Sequence, residues 1–403
     1  MNTLAGGTQL NLLQPRDDVA SRVIDGTFTL LSAEGRQVHL LNETAVAVWE
    51  AIGEGNTIEH VCAVLGRRFD VDPAVLRSDV ERAIEGLEDV LIVGPDVLEP
   101  SHESQRDCRG TTVASGDHRW RVGPFRALDS WLTIAAEPSS WCAESQEALR
   151  QVRGVLDLLS RFATPLDLEI DQAVMIRVAG TPGHWTVWRG QDEVGSARST
   201  KLLREVLLAE VNRALIDTLV GSVGFHAGAV EFPEGVVVFP GHSDAGKSTL
   251  VLQLVQRGHG YLTDELAALS LDDRRVMSFP KSVCVDPGAQ SLFPELAPQA
   301  QRDWSTWHVD LERIASANLG AAGEPVAFVF PEFRRGESVT MRQLTPADAL
   351  PVLLENSFDF AATGARGAAL LLEIASVIPC YSLHHGGQPE HIAVLEELFG
   401  RRG

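Results

Sequence analysis

Basic residues are scarce in this chain: 34 lysines and arginines face 55 aspartates and glutamates, for a formal net charge of −21. That imbalance repels polyanions and disfavours non-specific attraction to nucleic acid or to an anionic membrane surface, so a peptide or small-molecule partner fits better. Long apolar runs are missing too. No stretch approaches the roughly 18 residues of a membrane span, and the opening MNTLAGGTQLNLLQ has neither the basic nor the apolar region of a secretory signal. A cytoplasmic protein is expected. Cysteine is sparse and scattered (Cys62, Cys108, Cys142, Cys284, Cys380), with no C-x-x-C pair or Cys/His cluster. Neither a zinc site nor a disulfide framework is indicated by this spacing, and reduced, mostly buried thiols are expected. No internal repeat or low-complexity tract is visible. What remains is ordinary globular composition, 44% hydrophobic and 22% charged over 403 residues, enough for two or three domains.

The most informative stretch is GVVVFPGHSDAGKSTL, from Gly235 to Leu250. Gly241, Gly246, Lys247 and Ser248 fit the pattern G-x-x-x-x-G-K-[ST]. The apolar run Val236–Phe239 reads as a buried strand and Thr249–Gln256 as a helix, which is the context this phosphate loop needs. Glycines let backbone N–H groups crowd onto phosphate oxygens, and the helix start adds a positive dipole. Lys247 reaches the β and γ phosphates and Ser248 holds Mg²⁺. The predicted nucleotide cradle is thus Gly241, His242, Ser243, Asp244, Ala245, Gly246, Lys247, Ser248 and Thr249, for ATP or another nucleoside triphosphate with Mg²⁺. Downstream, Tyr261-Leu262 is a short apolar segment followed by Thr263, Asp264 and Glu265. These three residues either cap a helix or bring an acidic pair to a second strand end.

The chain divides into residues 1–95, a polar linker at 96–123 (SHESQRDCRG lies within it), an α+β lobe at 124–220 and a core at 221–403 that carries the phosphate loop. The first part predicts short strands at Phe28–Leu31 and Gln37–Leu41, then three helices capped by Asn42, Thr57 and Asp72. Strand-like runs at Leu132–Ala135, Ala173–Val178 and Trp185–Trp188, with a helix over Thr200–Leu219, make up the lobe.

Two resemblances follow from these residues. Phe225-His226-Ala227-Gly228, the GHSDAGKSTL loop and RGHGYLTDE resemble the HPr kinase-related serine kinases in order and spacing, with weaker likeness through Phe279-Pro280-Lys281, Phe328–Gly336 and Ile378–Tyr381. The block VHLLNETA, then Val48-Trp49 and three helices, looks like a PqqD-type domain, a recognition element for ribosomally made peptides that are later modified. The implied fold is α/β and α+β multidomain: a winged-helix-like PqqD domain of a three-stranded sheet and three helices, then an α+β lobe and an HPr kinase-like core. The implied activity is an ATP- and Mg²⁺-dependent serine or threonine kinase acting on a precursor peptide, of which lasso peptides are one class, with oligomeric state open. In that family the first acid of the pair is the base, which maps onto Asp264; Glu265 would hold Mg²⁺, although the family carries Asp-Asp. His226 falls at a family histidine near the transferred phosphate, and Lys281, Arg334 and Arg335 are candidate phosphate partners. Asp244 stands where the family loop has glycine, which implies weaker nucleotide binding. The glutamate-arginine-glycine signature of true HPr kinases is missing, so HPr itself is not the expected substrate.

The recognition reading also has a mechanism of its own. An exposed edge strand at Gln37–Leu41 can take an extended leader as an added strand while a helix reads alternate side chains. The expected contacts are Val38, His39 and Leu40 on the strand and Arg77, Glu81 and Ile84 on the third helix. Two alternatives stay open: a peptide-binding adaptor whose loop has lost turnover, and a kinase for a small molecule.

Overall fold

A computed structural model describes residues 12–53, 56–94, 121–128, 130–137, 142–150, 152, 174–281, 283–297, 307–309, 319–387 and 389–400. The chain forms two compact units. One joins Met1–Gln105 to Phe360–Val377, and the other joins Arg106–Asp359 to Ile378–Gly403.

In the first unit an antiparallel sheet runs Val19–Ile24, Thr27–Ser32, Val38–Leu41, in that order, so the last strand is an edge. Asp25 and Gly26, at φ 48° and 79°, make the two-residue hairpin turn whose positive φ values suit the strand twist. Three helices follow, Glu43–Ile52, Ile58–Arg68 and Pro73–Glu85, each started by the expected cap. Asn42 Oδ1 accepts from Ala45 N at 2.8 Å, Thr57 Oγ1 from His60 N at 3.2 Å and Asp72 Oδ1 from Ala74 N at 2.9 Å. Their apolar faces close on Leu30 and Leu41 of the sheet through Val48, Ile52, Val61, Leu65, Val80 and Ile84. A second small sheet threads Leu12–Pro15 between Asn56–Thr57 and Leu91–Gly94.

The helix Gly364–Val377 packs on the strands Val19–Ile24 and Thr27–Ser32, burying Ala368, Leu371, Leu372 and Ile374. Thr29 and Leu31, which alternate with the core-facing Phe28 and Leu30, are buried accordingly. This corrects the predicted organisation, which left residues 360–377 in the phosphate-loop core. An apolar helix at this point of the sequence says nothing about which sheet it will cover.

The described part of the second unit begins at Arg121, two residues before the predicted end of the linker at 123, the rest of which lies outside the described residues. A five-stranded sheet of Arg121–Ala127, Ser130–Ala136, Val174–Thr181, His184–Arg189 and Asp192–Ala197 is packed by the helix Thr200–Asp217, close to the predicted bounds. An eight-stranded sheet then places Gly235–Pro240 between antiparallel Ser222–Phe232 and parallel Pro325–Phe333, with parallel Cys380–His385 beyond it. Cys62, Cys142, Cys284 and Cys380 are free thiols, only Cys380 being buried where most were expected to be; Cys108 lies outside the described residues. Among the described residues no helix is long and apolar enough to cross a membrane.

Candidate functional site

The phosphate loop leaves the strand Gly235–Pro240 and runs straight into the helix Lys247–Gln256. Gly246 stands before that helix at φ 86°, a left-handed conformation that glycine adopts without strain. No side chain caps the helix, so the first N–H groups face the loop unclaimed by a neighbouring oxygen. Lys247 is 6% exposed; its Nζ reaches back to the carbonyl oxygens of Gly241 at 2.7 Å and His242 at 2.6 Å. Burial pulls its ammonium down to about 8 against the upward pull of Asp264, Glu265 and Asp244. Asp244 holds φ 66°, a backbone position that glycine would occupy more cheaply.

The acidic pair comes to the same place through the strand Ser222–Phe232. Its first half pairs with Leu266–Ser270 and its second half with Gly260–Thr263, with a register shift between Ala229 and Val230. Asp264 and Glu265 fill the step between those two strands, so a strand, not a helix, follows the Thr263-Asp264-Glu265 segment. At this step Ala227 N donates to Glu265 O at 3.1 Å, while Gly241 N donates to His226 O at 3.2 Å. One short stretch, His226-Ala227, therefore binds the first loop glycine on one side and the acidic step on the other. Gly228 lets the loop helix lie this close, since a Cβ there would come 2.5 Å from Val251. Burial lowers the His226 imidazole, and Lys247 lowers it further.

Asp264 is 3% exposed. Its Oδ1 accepts the Tyr261 hydroxyl at 3.0 Å and lies 3.2 Å from Lys281 Nζ. The same ammonium is 2.8 Å from Glu265 Oε2, which also accepts from Asn212 Nδ2 at 3.2 Å. Burial and Asp264 push the Tyr261 phenol well above its usual range. Burial opposes charge on Lys281 and Glu265, but Asp264 and then Glu265 outweigh it on the ammonium and hold it up, while Lys281 outweighs it on Glu265 and holds that carboxyl down. Lys281, expected at a phosphate, is thus bound to two carboxylates. Arg334, the other candidate described with partners, is exposed and pairs with Glu332 at 2.7 Å and Glu337 at 3.7 Å.

Sequence reasoning missed Tyr261, Asn212 and His385. His385 ends the strand Cys380–His385, is 4% exposed with neither ring nitrogen hydrogen-bonded, and lies behind the loop, 3.5 Å from where a Gly246 Cβ would stand. No local motif marks a residue that is brought in by parallel strand pairing.

The unclaimed N–H groups and the buried Lys247 fit a nucleoside triphosphate. For Mg²⁺, Ser248 offers a hydroxyl at the second helix position, but Glu265 reaches a metal only by releasing Lys281. Among the described residues no set of three or more His, Cys, Asp or Glu is arranged around a common point for a metal.

In the first unit a groove of about 550 Å³ runs between the edge strand and the third helix. Val38, His39, Leu40 and Leu41 form one wall; Asp79, Arg82, Ala83 and Gly86 form the other. Ser32 N donates to Gln37 O, which fixes the alternation: the main-chain groups of Val38 and Leu40 point away from the sheet, toward the groove. His39 Nε2 is buried without a partner, and the Leu40 side chain is 69% exposed. The strand residues are those expected, but the helix residues are not. Arg77 pairs with Glu81 at 2.8 Å and with Glu59 at 3.4 Å on another face, and Ile84 is in the core.

Residues 28–92 match the family profile "Coenzyme PQQ synthesis protein D (PqqD)". No curated protein matches the chain. Among solved structures, "TbiB1 in Complex with the TbiA(beta) Leader Peptide" is similar at 21% identity and TM-score 0.18, over 19% of this chain and 93% of that one. The HPr(Ser) kinase/phosphatase from Coxiella burnetii is similar at 13% identity and TM-score 0.24, over 42% of this chain and 90% of that one. Residues 28–92 are a PqqD-type domain, carried in one chain with a larger α/β unit that holds the glycine-rich loop 241–248.

Proposed function

We propose that this protein is a cytoplasmic, ATP- and Mg²⁺-dependent kinase that phosphorylates a serine or threonine of a ribosomally made precursor peptide. The observation that carries the reading is the junction at His226-Ala227, where the phosphate loop and buried Asp264 meet across one strand. In this reading Lys247 and the first N–H groups of its helix bind the phosphates. Ser248 would hold Mg²⁺ together with phosphate oxygens, and the metal would supply neutralising charge at the transferring group. Asp264 is the base toward the acceptor hydroxyl, and His226 stands beside it and Lys247. The leader adds as a strand at Val38–Leu41, and tethering raises the concentration of the acceptor segment near Asp264.

Asp244 favours a second reading, a peptide-binding adaptor without turnover, because it puts negative charge and an unfavourable backbone angle into the loop. The two separate when protein, Mg-ATP and the precursor peptide are incubated together and peptide mass is followed. A gain of about 80 Da that Asp264→Asn abolishes and Leu40→Pro weakens supports the kinase. Binding with no mass change supports the adaptor, and a phosphorylated small molecule with untouched peptide refutes both.

A further inference from the structure

The surroundings of Lys281 contradict the task expected of it. It is 8% exposed, and its ammonium spans Asp264 Oδ1 at 3.2 Å and Glu265 Oε2 at 2.8 Å. An ammonium held between two carboxylates is not available to a phosphate, since leaving would strand the buried Asp264 carboxylate beside the partly exposed Glu265. The fully buried Tyr261 hydroxyl donates to the same Oδ1 at 3.0 Å and also lies 3.3 Å from the Lys281 carbonyl oxygen. Both donors therefore converge on one oxygen of Asp264. Oδ2 has no hydrogen-bond partner among the described residues, nor is it a buried orphan like His385 Nε2.

A carboxylate anchored through one oxygen cannot rotate freely about its Cβ–Cγ bond, so the other oxygen is aimed. We infer that Lys281, with Tyr261, is a positioning residue for the base: the two lock Oδ1 of Asp264 and leave Oδ2 as the atom that takes the acceptor proton. This rests on the phosphoryl-transfer reading above. In the step, the acceptor O–H proton moves to Oδ2 as the hydroxyl oxygen bonds to phosphorus. The bond from phosphorus to the donor's bridging oxygen breaks, its electron pair leaving with the nucleoside diphosphate. Lys281 keeps its proton throughout, and its second contact keeps Glu265 from turning toward Asp264.

The test is steady-state peptide phosphorylation by the full-length chain, with nucleotide affinity measured separately. Positioning by Lys281 predicts that Lys281→Met lowers kcat roughly 100-fold, within the range for losing acid–base help, while the KM for nucleotide stays within about twofold. Lys281→Arg restores most of the loss. Tyr261→Phe, which deletes one hydroxyl and keeps the ring packing, lowers kcat about tenfold with the same unchanged KM, and it carries the test if Lys281→Met does not fold. Because both act through Asp264, their losses vanish in an Asp264→Asn background. A tenfold rise in nucleotide KM with unchanged kcat would make Lys281 a phosphate ligand and overturn the inference. Losses that multiply with Asp264→Asn overturn it too. Failure of the underlying reading looks different: wild type transfers nothing, or Asp264→Asn is as active as wild type.

Discussion

Replacing Asp244 separates charge from backbone geometry in the phosphate loop. The residue is exposed, sits at φ 66°, and is close enough to Lys247 to act on its ammonium. At about 7 Å and an effective dielectric of about 40, one carboxylate costs a bound phosphate charge roughly 1 kcal/mol. Asp244→Asn removes that charge and keeps a side chain that tolerates the left-handed region. Asp244→Gly removes the charge and also about 1 kcal/mol of backbone strain, against a chain-entropy cost of roughly 0.5–1 kcal/mol. Nucleotide affinity by calorimetry is therefore expected to tighten about fivefold in both variants, from the charge term. Urea stability is expected to move by less than about 1 kcal/mol in either. Tightening in the glycine variant alone would mean that geometry, not charge, limits the loop. No tightening in either would refute the argument that Asp244 weakens this site.

Asp264→Asn is expected to lower peptide phosphorylation by a factor of roughly 10²–10⁴ with nucleotide binding retained, read as kcat against nucleotide affinity. Leu40→Pro removes an outward N–H and puts a ring into the groove, so leader affinity by fluorescence anisotropy should fall roughly tenfold or more while nucleotide affinity is unchanged. Burial, and then neighbouring His391, depress His385 to about 4. The unfolded chain therefore binds a proton that the folded chain refuses between the ordinary histidine value and that point, and stability falls as pH drops through this window. At about 1.4 kcal/mol per pH unit, roughly 2 kcal/mol is lost between pH 7 and pH 5. The loss should shrink in His385→Gln, as measured by urea unfolding at the two pH values.

The parts of the site that were legible in the sequence are those encoded locally. The loop, its strand and its helix follow from glycine placement and apolar runs, and the caps Asn42, Thr57 and Asp72 follow from side chains that bind N–H groups two or three residues on. Asp264 was singled out by the likeness of its acidic pair to the kinase family's, since its place after a short apolar segment fits a helix cap equally well. What was not legible depends on long-range pairing: Asn212 meets Glu265 across 53 residues, and His385 reaches the loop only because its strand runs parallel to Pro325–Phe333. Lys281 was found, but its partners were not, because a sequence names a cation without naming what it faces. The phase of the third helix was likewise set by which of its faces Val80 and Ile84 bury.

The helix Gly364–Val377 also bears on how the protein is made. A ribosome delivers the sheet of residues 19–41 long before the helix that covers one of its faces, so during synthesis Thr29 and Leu31 wait uncovered while the strands of the other unit emerge. Cutting the chain after Gln105 would strip the sheet of the helix that covers it and leave the remainder with an apolar helix that has nothing to cover. Swapping recognition specificity between proteins of this design therefore means changing side chains in the groove, or moving two separate stretches of gene together.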